Sequence, residues 1–197
     1  MNNRQKAEPP HVAKMAPMSH AAHAEQAGFA LTRQVPHIGA VRIVERGQHI
    51  VQLDLGGKAP YAPLADVAEQ PTPLLLRAFA QLEEYLAGVR KKFDLPLAPA
   101  GTPFQRKVWD ALLQIPYGQT RSYRQIAEAV NSPKGFRAVC MANNRNPIAV
   151  FIPCHRVIGA DGSMVGYGGG LDIKVKLLER ANCKLLETPT GWKVAEI

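Results

Sequence analysis

Cysteine is scarce in this chain: three among 197 residues, Cys140, Cys154 and Cys183. The number is odd and no two stand as C-x-x-C. A disulfide framework and a four-thiolate zinc site are therefore excluded, and a reducing cytoplasm is the expected compartment. Long apolar runs are also lacking. None approaches the roughly 18 residues that span a bilayer, and the first residues contain no continuous apolar h-region, so no membrane association is expected. Acidic side chains are few, 16 Asp/Glu against 24 Lys/Arg, for a net charge of +8 and a pI near 9.6. The imbalance is uneven. Residues 1–100 hold 11 basic and 9 acidic residues (+2), whereas 101–197 hold 13 and 7 (+6). Such an excess is either a solubility charge or the footprint of a polyanion such as nucleic acid. Glycines are plentiful, but no G-K-[ST] follows them, so there is no P-loop.

With 46% apolar residues the chain can bury a proper core. Residues 1–28 show no lasting periodicity and read as a disordered or loosely held extension. His11, His20 and His23 in it read as a solvated tail rather than a metal site. Phe29–Val35, Ala40–Glu45 and His49–Leu55 read as strands, the last two joined by a hairpin-sized Arg46-Gly47-Gln48. Gly56 to Gln70 reads as a loop. Thr72-Pro73 then supplies a cap and an N1 proline for a helix carrying Leu75, Leu76, Phe79, Leu82, Leu86 and Val89. The block 29–95 is thus a small α+β supporting unit. Pro96 and Pro99 mark a linker over 96–101, and the style from 102 to 197 is mainly helical.

Within that second part, Thr102-Pro103 opens a helix with Phe104, Val108, Trp109, Leu112 and Leu113. Ser122 and Gln125 form a capping box for a short helix. Asn131-Ser132-Pro133 predicts a tight turn and a new helix from Lys134 to about Asn143, with Phe136, Val139 and Cys140 on one side and Arg137 and Asn144 toward another. Two short helices around a tight turn read as a helix-turn-helix, and residues 101–145 hold seven Lys/Arg against two Asp/Glu. Charge and pattern together favour DNA. Further on, Tyr167-Gly-Gly-Gly170 predicts a loop whose backbone can approach a ligand closely. The residues beyond the last helix, which ends near Asn182, read as peripheral.

The most unusual stretch is Phe151-Ile-Pro-Cys-His-Arg-Val-Ile158. A strand-like run from Ile148 to Ile152 stops at Pro153, and Cys154, His155 and Arg156 follow between two segments that want burial. A buried thiol can be a small hydrophobe and nothing more. As a nucleophile, Cys154 needs a base or positive surroundings, because a free thiol has a pKa near about 8.5. His155 can accept its proton, directly or through a water. Arg156 either adds positive charge or serves structurally, bonding carbonyls or a carboxylate.

The motifs Gly101-Thr-Pro-Phe-Gln-Arg-Lys-Val-Trp109, Ile115-Pro-Tyr-Gly118, Ser122-Tyr-Arg-Gln-Ile-Ala127, Arg137-Ala-Val139, Asn146-Pro147, Phe151–Ile158 and Tyr167-Gly-Gly-Gly-Leu171 closely resemble the O6-alkylguanine-DNA alkyltransferases (methylated-DNA–protein-cysteine methyltransferases) in their bacterial form. The resemblance covers about 29 to 183. It implies a ribonuclease-H-like N-terminal domain over 29–95 and a DNA-binding, alkyl-acceptor domain with a helix-turn-helix over 102–197. It implies single-use transfer of an alkyl group from guanine O6 (or thymine O4) in duplex DNA to Cys154, after the base is flipped. Tyr123 would donate a hydrogen bond to the base, Asn146 would brace the turn, and Arg137 would fill the place the base leaves. Val157 would offer its carbonyl to the guanine amine, and Tyr167, Gly168, Gly169 and Trp109 would line the pocket. Arg124 and Ser132 would meet phosphates. No cofactor and no metal are implied, since the zinc ligands of some relatives have no cysteine here, and the free protein is expected to be monomeric.

Two positions depart from the family pattern. Many members carry a glutamate 26 residues after the histidine, where this chain has Ala181, so the relay either ends at His155 or uses another carboxylate. Glu179, two places away on a helix, faces another side. Gly168 stands where some members have serine, which widens the pocket and implies tolerance of bulkier adducts. The alternative to transfer is a binding-only sensor of alkyl damage, a class in which tryptophan replaces the cysteine.

Overall fold

A computed structural model of the chain describes residues 27–56, 64–189 and 191–195. Most of the extension expected over residues 1–28 lies outside them. Four strands form the first sheet: β1 (Gly28–Val35), β2 (Gly39–Arg46), β3 (His49–Leu55) and β4 (Val67–Glu69), in the order β3-β2-β1-β4. The first three are an antiparallel meander and β4 runs parallel to β1. Sequence reading placed β4 in a loop. Its three residues are too short and too exposed to carry an alternating signal, and only pairing with Gly28, Phe29 and Ala30 extends them. Helix α1 (Pro73–Leu86) starts as expected, with the Thr72 side chain accepting from the Leu75 amide 3.1 Å away. It ends at Leu86, so Val89 lies outside it, exposed. Leu75, Phe79, Leu82 and Tyr85 recur at helical spacing and are completely buried.

The stretch expected as a linker is tied down. Ile50 exchanges hydrogen bonds of 2.8 and 2.9 Å with Pro96 and Ala98, and Leu95, Leu97 and Ala98 are buried. Helix α2 (Pro103–Leu113) follows, with both halves of a capping box between Thr102 and Gln105. Helix α3 (Tyr123–Ala129) has the same box between Ser122 and Gln125. Helix α4 (Phe136–Asn144) differs from expectation. The chain turns through Asn131 at φ +55°, and α4 begins after Gly135 with no side-chain cap. Its inner face is Val139, Ala142 and Asn143, which leaves Phe136 49% exposed. Phe136 is the first residue of the helix, and its ring lines a groove with Tyr123 and Cys140 instead of entering the core.

Cys154–Arg156 form a single 3-10 turn, followed by β6 (Val157–Ile158), which pairs in parallel with β5 (Arg121–Ser122). Helix α5 (Leu171–Arg180) starts after Gly170, whose φ of +91° suits glycine. The end of the chain is not loose: β7 (Leu185–Thr188) and β8 (Gly191–Val194) pair antiparallel, and Val194 packs on Ile158 and Leu178. One hydrophobic cluster runs through both parts, from Val41, Phe79 and Tyr85 to Trp109, Phe151 and Cys154. The N-terminal part is therefore continuous with the floor beneath Cys154. Among the described residues no helix is long and apolar enough to cross a membrane.

Candidate active site

The segment before Cys154 is not a strand. Ile148 bonds to β3 as an isolated bridge with Leu53, and the chain then folds on itself, Ile152 donating to Ile148 over 3.0 Å and Phe151 to Ala149 over 2.9 Å. Val150 sits at φ +69° while fully buried. A β-branched residue in the left-handed region is strained, and here the packing around it holds that strain beside the reactive turn. Asn146 is the brace. Its Oδ1 accepts from the Ile148 amide at 3.0 Å and its Nδ2 donates to the Ile152 carbonyl at 2.9 Å. Both ends of the turn are thus tied to one side chain.

Cys154 is 5% exposed and belongs to the lining of a pocket of about 220 Å³. Asn146, Tyr167, Gly168 and Gly169 share that lining with residues of β3 and the end of α4. Burial pushes the thiol pKa up; the Asn146 side chain and the charge of Lys174 pull it back. Tyr167 also has its pKa raised well above the ordinary value, by burial and by its neighbour Cys154. A Cβ on Gly168 would meet nothing within 4 Å, whereas one on Gly169 would press on Tyr167 at 3.1 Å and Leu55 at 3.3 Å. The loop's closeness to β3 therefore depends on Gly169, and the open space lies at Gly168.

Tyr123 and Arg124 line a second, adjoining groove with Glu128, Pro133, Phe136, Cys140, Gly159, Ala160 and Val165. The Tyr123 phenol is pushed up to about 12 by burial, then by Cys140 and Cys154, so it keeps its proton and remains a donor. Arg124 and Arg137 are exposed, the latter with its guanidinium 5.9 Å from the Phe136 ring centroid. Ser132 is half-buried in the turn before α4.

Trp109, expected in the pocket, is not there. It is 1% exposed, and its indole donates to the Ala142 carbonyl at 2.9 Å, pinning α2 to α4. A Cβ on Gly101 would come within 2.5 Å of its ring, which explains the glycine before the cap. The Val157 carbonyl, expected to face the base, already accepts from the Lys174 ammonium at 2.7 Å. Its second lone pair can still accept. Lys174 is completely buried, and its other bond is to the Val165 carbonyl at 2.9 Å. Burial lowers it to about 8, while Cys154 raises it.

Sequence reading missed Lys174. A lysine between Ile173 and Val175 on the stripe shared with Leu177, Leu178 and Ala181 was the available signal.

Arg156 is structural. Its Nη1 donates to the Ile115 carbonyl at 2.7 Å and its Nη2 to the Tyr85 hydroxyl at 3.1 Å. His155 is completely buried, which with the charges of Arg156 and Lys174 holds its pKa well below 6.5. Its Nε2 lies 3.2 Å from Tyr85 Oη. Among the described residues no carboxylate takes that place: Ala181 is buried and Glu179 is exposed.

A family model described as the 6-O-methylguanine DNA methyltransferase DNA binding domain matches residues 103–182, and one described as the ribonuclease-like domain of the same protein matches 35–99. A methylated-DNA--protein-cysteine methyltransferase of Methanosarcina barkeri is 49% identical over 143 residues, covering 72% of this chain and 90% of its own length. The chain belongs to the 6-O-methylguanine DNA methyltransferase family. The constitutive methylated-DNA--protein-cysteine methyltransferase of Bacillus subtilis is 57% identical over 108 residues, covering 54% of this chain and 66% of that one. Among solved structures, a Mycobacterium tuberculosis OGT in complex with DNA matches with a TM-score of 0.71 and 40% identity, covering 78% of this chain and 92% of that one. For a methyltransferase of this family, Cys154 on its proline-bounded turn is the one cysteine in the pocket. Cys140 is half-buried at the neighbouring groove and Cys183 packs against Ile158 and Leu178.

Proposed function

We propose that this chain repairs DNA by irreversible transfer of the alkyl group from O6-alkylguanine, and from O4-alkylthymine, to Cys154, one transfer per molecule. The observation that carries this reading is a buried thiol on a braced turn, in a pocket closed by Tyr167–Gly169, with the Tyr123 phenol close enough for Cys154 to raise its pKa. In the step, sulfur forms a bond to the alkyl carbon as the carbon–O6 bond breaks, and the electron pair of that bond passes to the purine. The thiol loses a proton and guanine gains one, so no co-reactant is required.

Helices α3 and α4 serve as the helix-turn-helix, entering the minor groove as the family does. Arg137, exposed at the start of α4, takes the place of the flipped nucleotide, and Arg124 and Ser132 meet the phosphates without reading sequence. Tyr123 donates to the base as negative charge develops on it, which stabilises the transition state. Asn146 holds the turn, Val157 offers its free lone pair to the guanine amine, and Tyr167, Gly168 and Gly169 enclose the alkyl group. The N-terminal part, of the ribonuclease-H-like type, backs this turn through β3. The free protein acts as a monomer and in the cytoplasm.

The test is stoichiometric. A duplex carrying one radiolabelled O6-methylguanine should pass at most one label to each protein molecule, and none to Cys154→Ala. Tight binding of the lesion duplex without label transfer is the sensor's behaviour and refutes the transfer reading.

A further inference from the structure

The imidazole of His155 has one hydrogen-bond partner, and it comes from the other part of the chain. Tyr85 sits on α1, 70 residues earlier, and is completely buried. Its ring is fixed on three sides, edge-on to Tyr117 at 5.7 Å, tilted against Phe93 at 5.0 Å and edge-on to His155 at 6.3 Å. Its hydroxyl has two neighbours. Arg156 Nη2, which can only donate, lies at 3.1 Å, and His155 Nε2 lies at 3.2 Å. A phenol carries a single proton. With the lone-pair side engaged by Arg156, the buried O–H finds its acceptor only at His155 Nε2. Were Nε2 to carry the ring proton instead, both the phenol proton and the Nδ1 lone pair would be buried unpaired, whereas the Nδ1–H form leaves only that one N–H unpaired. The ring proton of the neutral imidazole therefore resides on Nδ1, the nitrogen that has no protein partner.

We propose that Tyr85 is the positioning residue for His155, its hydroxyl holding Nε2 where a carboxylate would otherwise stand and fixing the imidazole as its Nδ1–H tautomer. This rests on the transfer reading above only for its consequence, not for the bond. A carboxylate accepts and never donates, so it holds a histidine ready to take a proton on the opposite nitrogen. A phenol anchored by Arg156 does the reverse. His155 then presents an N–H at Nδ1, the nitrogen away from Tyr85. It accepts a proton at Nδ1 only after its own has moved to Nε2 and the phenol has turned. Ala181 makes this arrangement necessary: its methyl cannot reach the imidazole as a hydrogen-bond partner, and the nearest carboxylate in sequence, Glu179, is exposed. Burial also keeps Tyr85 a neutral phenol, raising its pKa despite the neighbouring Arg156.

The test uses the full chain, labelled with 15N-histidine, alongside Tyr85→Phe. In the wild type, long-range nitrogen–proton correlation should show His155 protonated at Nδ1 and unprotonated at Nε2, and this needs no variant to fold. In Tyr85→Phe the fixed tautomer should give way to a mixture. Single-turnover transfer from an O6-methylguanine duplex should slow about tenfold or more, while affinity for the same duplex in the Cys154→Ala background stays unchanged. A wild-type ring protonated at Nε2 overturns the proposal. So does a Tyr85→Phe variant with unmoved His155 signals and the wild-type rate, and so does a loss of rate matched by an equal loss of affinity. Failure of the wild type to alkylate Cys154 overturns the transfer reading instead, and leaves the nitrogen shifts to decide the role of Tyr85.

Discussion

Replacing Asn146 by alanine tests how the reactive turn is held. The side chain makes two bonds across it, to the Ile148 amide at 3.0 Å and the Ile152 carbonyl at 2.9 Å, and it lies close enough to Cys154 to lower its pKa. Ile148 and Ile152 are completely buried, so water does not readily replace the lost partner. A neutral hydrogen bond contributes about 0.5–1.5 kcal/mol, and a buried group left unpaired costs about 1–3 kcal/mol. Two groups left unpaired cost about 2–6 kcal/mol, and partial relaxation of the turn keeps the loss at the lower end, about 2–3 kcal/mol. For a protein of this size that corresponds to a Tm lower by about 4–12 °C. The thiol should respond in addition. Asn146 lowers the Cys154 pKa against the upward push of burial, so its loss moves the thiol further up. The rise of transfer rate with pH should then shift to higher pH in Asn146→Ala. Urea unfolding gives the first quantity, and single-turnover kinetics between about pH 6 and 10 give the second. Asn146→Asp keeps the acceptor for Ile148 but adds a negative charge beside the sulfur, and should shift the profile further still. A loss below about 0.5 kcal/mol in Asn146→Ala, with an unmoved pH profile, would refute the bracing role.

Lys174 yields a sign as well as a size. Its folded pKa, about 8, lies below its ordinary 10.5, so between these values the unfolded chain holds a proton that the folded chain has lost. Stability should therefore rise with pH across that window, by on the order of 3 kcal/mol relative to Lys174→Met, both measured by urea unfolding in the Cys154→Ala background; parallel pH curves count against it. Gly168 borders open space, so the wild type should accept O6-benzylguanine, and Gly168→Leu should lose benzyl transfer while keeping methyl transfer. Transfer confined to methyl in the wild type removes that reading. Arg137→Ala should slow transfer from duplex by about tenfold or more and leave the free O6-benzylguanine base unaffected, because only the duplex reaction requires a vacancy to be filled. An equal effect on both substrates would place Arg137 outside base flipping.

What was legible in the sequence is what local chemistry decides. Thr72-Pro73, Thr102–Gln105 and Ser122–Gln125 announce helix starts because the cap and the amide it bonds, and in the last two the return bond as well, lie within three residues. Cys154 stands out because a proline, a thiol and two basic residues interrupt an apolar run. The failures share the opposite cause. Val150 at φ +69° turns an apparent strand into a fold-back, a conformation that the surrounding packing imposes against valine's own preference. Helix α4 starts after Gly135 and not at the Ser132-Pro133 pair, because the Gly135 amide bonds back to the Ser132 carbonyl in a turn that no side-chain cap marks. Trp109, which the resemblance put in the pocket, keeps the core place its helical spacing gives it and is spent on the Ala142 carbonyl. Most consequential is the pairing of Tyr85 with His155 across 70 residues. The tyrosine lies on the apolar stripe of α1, where it reads as core, and only the folded chain shows that its hydroxyl meets the imidazole. The sequence did reveal the gap at Ala181, which is where a partner for His155 had to be found by tertiary contact.

The central claim is that Cys154 takes the alkyl group and keeps it. Mass spectrometry of the proteolysed protein after incubation with excess O6-methylguanine duplex tests it directly. One methyl on the peptide containing Cys154, none on those containing Cys140 or Cys183, and no further turnover is the predicted result. A lesion duplex bound but unrepaired, or a methyl group that leaves the protein again, would contradict it.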